Sequence, residues 1–264
     1  MKPLATFKHI SSKNANYGDA EKYLTFEHDE FTMKPTLDEQ GRLVPREDYR
    51  ISTLNCGEED FAVACMRSNL RYGKNQKRED VKSHHYIISF DPRDGPDNRL
   101  TVDKAQELGE KFCREQFPGH QAIVCTHPDG HNQSGNIHVH IVINSLRIEN
   151  VLLPYMDRPA DTKAGCKHRC TDAAMEYFKS EVMELCHEAG LYQIDLLNGS
   201  ANRVMRIISV PSWSRSSGCP AKPQSADTRS VWHRLKSGWE SLTVCLSAFM
   251  RPMWLSASHM KGSL

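Results

Sequence analysis

The 264-residue sequence has no run that approaches the roughly 20 consecutive apolar residues a membrane-spanning helix needs, so membrane insertion is not expected. It also has almost no net charge: 34 Lys and Arg stand against 33 Asp and Glu, a formal +1. A protein that coats nucleic acid non-specifically carries a large basic excess. That class is excluded, and any nucleic-acid contact must rest on a local patch. The first 12 residues lack an apolar signal core, so export is not expected. The nine cysteines follow no small-scaffold spacing, which points to free thiols in a reducing cytoplasm rather than a disulfide framework. Internal repeats and low-complexity blocks are absent. What remains reads as a soluble globular chain, long enough for one or two domains with a real core.

One basic patch stands out between residues 67 and 82. Arg67, Arg71, Lys74, Lys77, Arg78 and Lys82 fall there with few acids between them. It is either a solvated loop or a phosphate-contacting surface.

Hydrophobic periodicity predicts a short strand at 6–11 and a helical turn at 20–24 with Asp19 as its N-cap. A polar loop follows over 29–49, then a short strand at 50–54 and a helix at 58–70. Residues 84–90 read as a strand closed by Asp91-Pro92. A helix is expected at 101–116, with Thr101 as its cap. Strands follow at 122–126 and 137–144, joined by a Gly-bearing loop at 127–136. A second strong helix covers 171–189, stopped by Gly190. That loop is too short for a crossover, so the two strands must pair antiparallel. The expected class is α+β: a central antiparallel sheet with helices on one face. After about residue 200 the chain changes character. All four tryptophans lie there, serine is frequent, and no apolar period is sustained. Residues 1–200 therefore read as one domain. Residues 201–264 read as an atypical tail, either disordered or derived from a shifted reading frame.

The candidate chemistry lies in His138-Val139-His140. Side chains two apart on a strand share a face, so both imidazoles project together while Val139 faces the core. The hairpin folds His127 back toward them. Three neutral imidazoles on one face can bind a divalent cation and leave positions open for substrate oxygens. The third imidazole is His127 or His131. His127 is favoured because it directly ends a strand. Asp129, two residues on, could orient one ring. A phenol is a weak nucleophile at its ordinary pKa near 10, but a metal-bound phosphate beside it makes attack feasible. Tyr17 and Tyr23 are the tyrosines of the first strand–helix segment. The alternative is that both only pack.

Three blocks together resemble the relaxases of mobilisable plasmids and integrative conjugative elements, in their P-type mobilisation group. The first is Asp19-Ala20-Glu21-Lys22-Tyr23-Leu24-Thr25. The second is Asn55-Cys56, followed by a helix, the basic stretch and His85-Tyr86-Ile87-Ile88-Ser89-Phe90. The third runs from Thr126-His127-Pro128-Asp129 to Asn136-Ile137-His138-Val139-His140-Ile141-Val142-Ile143-Asn144, the HUH motif in which U is a hydrophobe. The resemblance spans about residues 1–200. It implies a palm of antiparallel strands with ferredoxin-like elements and the HUH strand at its centre. It implies Tyr23 as nucleophile, with Tyr17 as the fallback. His127, His138 and His140 would hold Mg²⁺ or Mn²⁺, with Asp129 orienting one histidine. Arg67, Arg71, Lys74, Lys77 and Arg78 would hold the DNA backbone. The implied reaction nicks single-stranded DNA at an origin of transfer and leaves a 5′-phosphotyrosyl link. Accessory mobilisation proteins and a secretion-system coupling protein are implied partners. Ten residues separate His127 from His138, more than is common in the family.

Three rival readings stand beside this one. A replication-initiator or transposase nuclease of the HUH type shares the chemistry but commonly places its tyrosine after the histidines. A truncated protein could bind the origin without nicking it. A structural zinc site at Cys166, His168 and Cys170, joined by Cys186 or His187, lacks a second ligand pair of firm spacing.

Overall fold

The computed structural model describes residues 6–29, 32, 34–128, 135–192 and 195–197. Asp129, His131 and the tail at 201–264 lie outside the described residues, as do the expectations placed on them.

Five strands form one antiparallel sheet: β1 (Thr6–Ser12), β2 (Arg50–Leu54), β3 (Ser83–Ser89), β4 (His120–His127) and β5 (His138–Arg147), in the order β1-β3-β5-β4-β2. The histidine-bearing strand is therefore central. Its register pairs His127 with His138 and Cys125 with His140. The α+β class and the antiparallel sheet are as the periodicity required.

Alternation along β5 divides the core in two. Val139, Ile141 and Ile143 join Tyr86, Ile88, Ala122 and Val124 on one face. There they meet α4 (Val102–Gln116) and α5 (Asp172–Glu188) through Leu108, Phe112, Phe178 and Val182. Gly109 lets α4 approach closely, because a Cβ at that position would collide with the Val139 side chain. The expectation placed the helices on one face, and α4 and α5 are there. The first two helices, α1 (Gly18–Thr25) and α2 (Phe61–Arg71), instead cover part of the other face. Their Leu24, Phe61, Ala64 and Cys65 pack against Ile123, Cys125 and Val142. Both faces of the central strands carry apolar side chains, and each needs a cover.

The helix ends are partly as expected. Thr101 accepts from the Lys104 amide, and Gly190 follows α5 at φ +68°, whereas Thr171, expected inside α5, is its N-cap and accepts from the Ala174 amide. Asp19 does not cap α1. The helix begins one residue earlier, and the Asp19 carboxylate instead accepts from the side chains of Asn14 and Asn16. A short helix, α3 (Asp94–Asn98), follows β3. No helix among the described residues is long and apolar enough to cross a membrane.

Candidate metal centre

The face of β5 turned to α1 carries His138 and His140, and the end of β4 brings His127 beside them. The ring centroids lie 5.2 Å (His127 to His138), 4.8 Å (His127 to His140) and 4.8 Å (His138 to His140) apart. One ring nitrogen of each lies within 4.8 Å of the others, and among the described residues this is the group of three or more His, Cys, Asp or Glu that could hold a metal ion. Two metal–nitrogen bonds of about 2.1 Å span at most about 4.2 Å. A pair at the outer limit therefore needs a small ring rotation to coordinate.

Hydrogen bonds set which nitrogen each ring offers. His127 Nε2 lies 2.8 Å from the Leu24 carbonyl oxygen, so Nε2 carries the hydrogen and donates. The lone pair is then on Nδ1, which is buried without a hydrogen-bond partner. A buried lone pair with no donor is what a ligand atom looks like before it meets its metal. His138 Nδ1 faces the Asn136 carbonyl at 3.2 Å, which leaves the lone pair on Nε2. His140 Nδ1 lies 2.8 Å from His85 Nε2. With the hydrogen on His140 Nδ1, its Nε2 also turns a lone pair outward.

Burial keeps His127 and His140 neutral, as ligands must be. It pushes His127 down to about 3, with Arg46 and His138 adding to the effect. It takes His140 well below 6.5, helped by the neighbouring His85 and His138. His85 is pushed down to about 4, chiefly by burial.

The two tyrosines separate clearly. The Tyr23 ring stands 5.9 Å from that of His140, 6.0 Å from His85 and 5.0 Å from His28. It is half-buried. Burial raises its phenol, and Arg46 opposes that rise. Tyr17 is 5% exposed. Its hydroxyl donates to the Lys82 carbonyl at 3.0 Å and accepts from Asn69 at 2.7 Å. It belongs to a buried polar network with Asn75, Gln121, Asn144 and Ser145. Asn144, fully buried, is a member of that network and six residues along β5 from His138.

Arg67, Arg71, Lys74, Lys77 and Arg78 are all exposed, at the end of α2 and in the loop that follows. Arg67 pairs with Glu59 at 2.6 Å. Lys82 does not belong to this surface: it is buried, and its ammonium donates to the carbonyls of Lys77 and Asp80. The zinc alternative does not assemble. His168 Nε2 bonds the Tyr86 hydroxyl at 2.7 Å, and Cys166 and Cys170 form no ligand cluster with it among the described residues.

Sequence reasoning overlooked Arg46 and gave His85 no role beyond its place in the second motif block. Arg46 sits in the stretch read as a plain loop, yet a backbone bond from its amide to Thr25 draws it to the end of α1. Its charge acts on Tyr23, His127 and His140. A lone arginine in a polar segment carries no sequence signal of this. The place of His85 depends on strand register, which the sequence does not show: Ile87, two residues on, pairs with His140.

Residues 44–191 match the family model described as relaxase, MobA/VirD2-like, nuclease domain. The match covers more than half of the chain, and the chain belongs to this family. Two curated proteins of Staphylococcus aureus, both called Protein rlx, are similar to it. One is 28% identical over 140 residues, 53% of this chain and 36% of its own length. The other is 34% identical over 99 residues, 37% of this chain and 26% of its own. The aligned part thus spans about a third or less of these relatives. Among solved structures, one from work on vancomycin resistance transfer in Staphylococcus aureus aligns at TM-score 0.42 and 13% identity, covering 70% of this chain and 92% of the other. The metal-bound conjugative relaxase TrwC in complex with oriT DNA aligns at TM-score 0.36 and 11% identity, covering 72% of each chain.

Proposed function

We propose that this chain is a relaxase that nicks single-stranded DNA at an origin of transfer, with Tyr23 as the nucleophile and residues 1–200 as the catalytic unit. The observation that carries the reading is the Tyr23 ring standing about 6 Å from His140, one of three imidazoles grouped as a metal site. A divalent metal held by His127, His138 and His140 would polarise the scissile phosphate and stabilise the charge that develops on it. An all-imidazole set suits Mn²⁺ better than Mg²⁺, which prefers oxygen ligands.

The Tyr23 oxygen attacks phosphorus and the bond to the 3′-side oxygen breaks. The phenol gives up its proton to solvent at its half-exposed edge, and the leaving oxygen takes one up as a 3′-hydroxyl. The phosphodiester energy is kept in the 5′-phosphotyrosyl bond, so a 3′-hydroxyl can later reverse the step. Arg46 favours the phenolate and the crowded phosphate charge. His85 orients His140. Asp129 would orient one histidine of the set. Arg67, Arg71, Lys74, Lys77 and Arg78 hold the strand by its phosphates, positioning it without reading sequence. The family resemblance adds accessory mobilisation proteins and a secretion-system coupling protein as partners.

The test is a denaturing gel with a labelled single-stranded oligonucleotide carrying the element's own origin, in Mn²⁺. A cut strand bearing covalent protein, absent in Tyr23→Phe, is the expected result. Wild-type protein that binds this DNA and never cuts it would overturn the proposal in favour of an origin-binding role.

A further inference from the structure

Arg147, the last residue of β5, is 2% exposed, and its Nε and Nη1 have no hydrogen-bond partner. A guanidinium stays charged in proteins and only donates. Removing it from water is costly unless an opposite charge meets it. Its neighbours have theirs. Asp161 pairs with Arg158 and Arg169, Asp157 with Arg169, and Asp80 with Lys167. Arg147 forms no ion pair among the described residues, so one positive charge is left over in this corner of the fold.

Arg147 lines a small cavity of about 10 Å³ together with Tyr155, Lys167, His168, Arg169 and Thr171. That is room for a single oxygen-sized atom. His168 lies beside Arg147 with Nε2 on the Tyr86 hydroxyl and with a buried, unpartnered Nδ1. When Tyr86 donates to Nε2, Nδ1 carries hydrogen and becomes a further donor into the cavity. Lys167 and Arg169 are half-exposed at its rim. Thr171 is the N-cap of the 17-residue α5, whose positive end adds to the field. Nine residues of strand put this corner roughly 30 Å from His138, well outside the three-histidine site.

We propose that this pocket binds a phosphate-type oxyanion. One oxygen seats between Arg147 and His168, and the rest of the group rests against Lys167 and Arg169. A water molecule would satisfy the donors without cancelling the charge. The same chemistry has two sources, a backbone phosphate of the bound DNA strand or a free phosphate.

The experiment titrates the full chain with inorganic phosphate, against potassium chloride at matched ionic strength, by calorimetry and thermal unfolding. A single site is expected, with affinity reduced at least about tenfold in Arg147→Met, which loses a charge-assisted pair of bonds. Mn²⁺ binding should be unchanged in that variant. Arg147→Lys keeps the charge in a near-native shape but not the fork, and should bind phosphate more weakly than wild type. A single-stranded oligonucleotide is then added. Displacement of phosphate, with weaker oligonucleotide binding in Arg147→Met, assigns the site to the DNA backbone. Simultaneous binding assigns it to free phosphate. Wild-type protein that gains no more stability from phosphate than from chloride overturns the proposal even if both variants misfold. So does phosphate binding that survives Arg147→Met.

Discussion

The imidazole of His127 donates from Nε2 to the carbonyl of Leu24 at 2.8 Å, and Leu24 directly follows Tyr23. One hydrogen bond therefore joins a candidate metal ligand on β4 to the helix that carries the candidate nucleophile. It also settles which nitrogen of His127 is offered. Separating the end of β4 from this part of α1 would break it.

The two tyrosines should respond oppositely to loss of a hydroxyl. Tyr23→Phe should abolish covalent strand cleavage and leave the unfolding midpoint nearly unchanged. Tyr17→Phe removes a buried hydroxyl from its network and should cost about 1–3 kcal/mol in stability while cleavage persists. A cleavage gel alongside urea unfolding of each variant separates the roles. Cleavage lost in Tyr17→Phe but kept in Tyr23→Phe would reverse them.

His85 should matter to metal binding although it is outside the ligand set. Its bond to His140 orients a candidate ligand ring, and losing such a partner typically costs 10- to 100-fold in metal affinity. Mn²⁺ titration of His85→Ala should read that loss, and His138→Ala should lose more. Unaltered affinity in His85→Ala would remove its positioning role.

Arg46→Gln should slow cleavage without weakening Mn²⁺ binding, because the same charge opposes a cation at His127 and His140. The guanidinium opposes the burial that raises the Tyr23 phenol, so its loss should move the alkaline limb of the pH–rate profile upward. A profile of single-turnover cleavage reads both effects. An unshifted limb would argue that Arg46 does not act on the phenol.

Acid should destabilise the fold before the carboxylates titrate. Burial pushes His84 and His120 down to about 3, whereas an unfolded histidine titrates near 6.5. The unfolded state therefore takes up protons first. The stability these rings contribute is complete above pH 6.5 and falls away as pH drops toward 3. At pH 5 the loss is about 2 kcal/mol per ring. Urea unfolding at pH 7 and pH 5 measures it. Equal stability at both would show that these rings are not held neutral.

Gly109→Ala should cost about 1–3 kcal/mol, because its new methyl group meets Val139 on the far side of the histidine strand. Thermal unfolding reads the cost. A neutral outcome would mean that α4 can shift off the sheet without penalty.

Much of this was legible in one dimension. The β4–β5 hairpin could be read because both strands are apolar and short, and a loop of that length allows only antiparallel return. The His-Val-His alternation put two imidazoles on one face by strand geometry alone. Periodicity could not say that α1 and α2 lie on the opposite face from α4 and α5, because an apolar stripe names no partner. The cap of α1 was misplaced because Asp19 had closer donors in Asn14 and Asn16, two side chains that compete for the same carboxylate. Lys82 read as surface charge, yet its ammonium found backbone carbonyls that make burial tolerable.

The sequence by itself determined the antiparallel α+β class, the histidine pair, a choice of His127 or His131 for the third imidazole, and the short list of two tyrosines. Those follow from periods of two and 3.6 and from loop length, which are local quantities. Tertiary structure decided which tyrosine faces the imidazoles, which nitrogen each ring presents, that Arg46 and His85 stand beside them, and that Arg147 is buried without a counter-charge. Those depend on how distant segments meet and on which hydrogen bonds and charges burial leaves unanswered, and no local pattern encodes either.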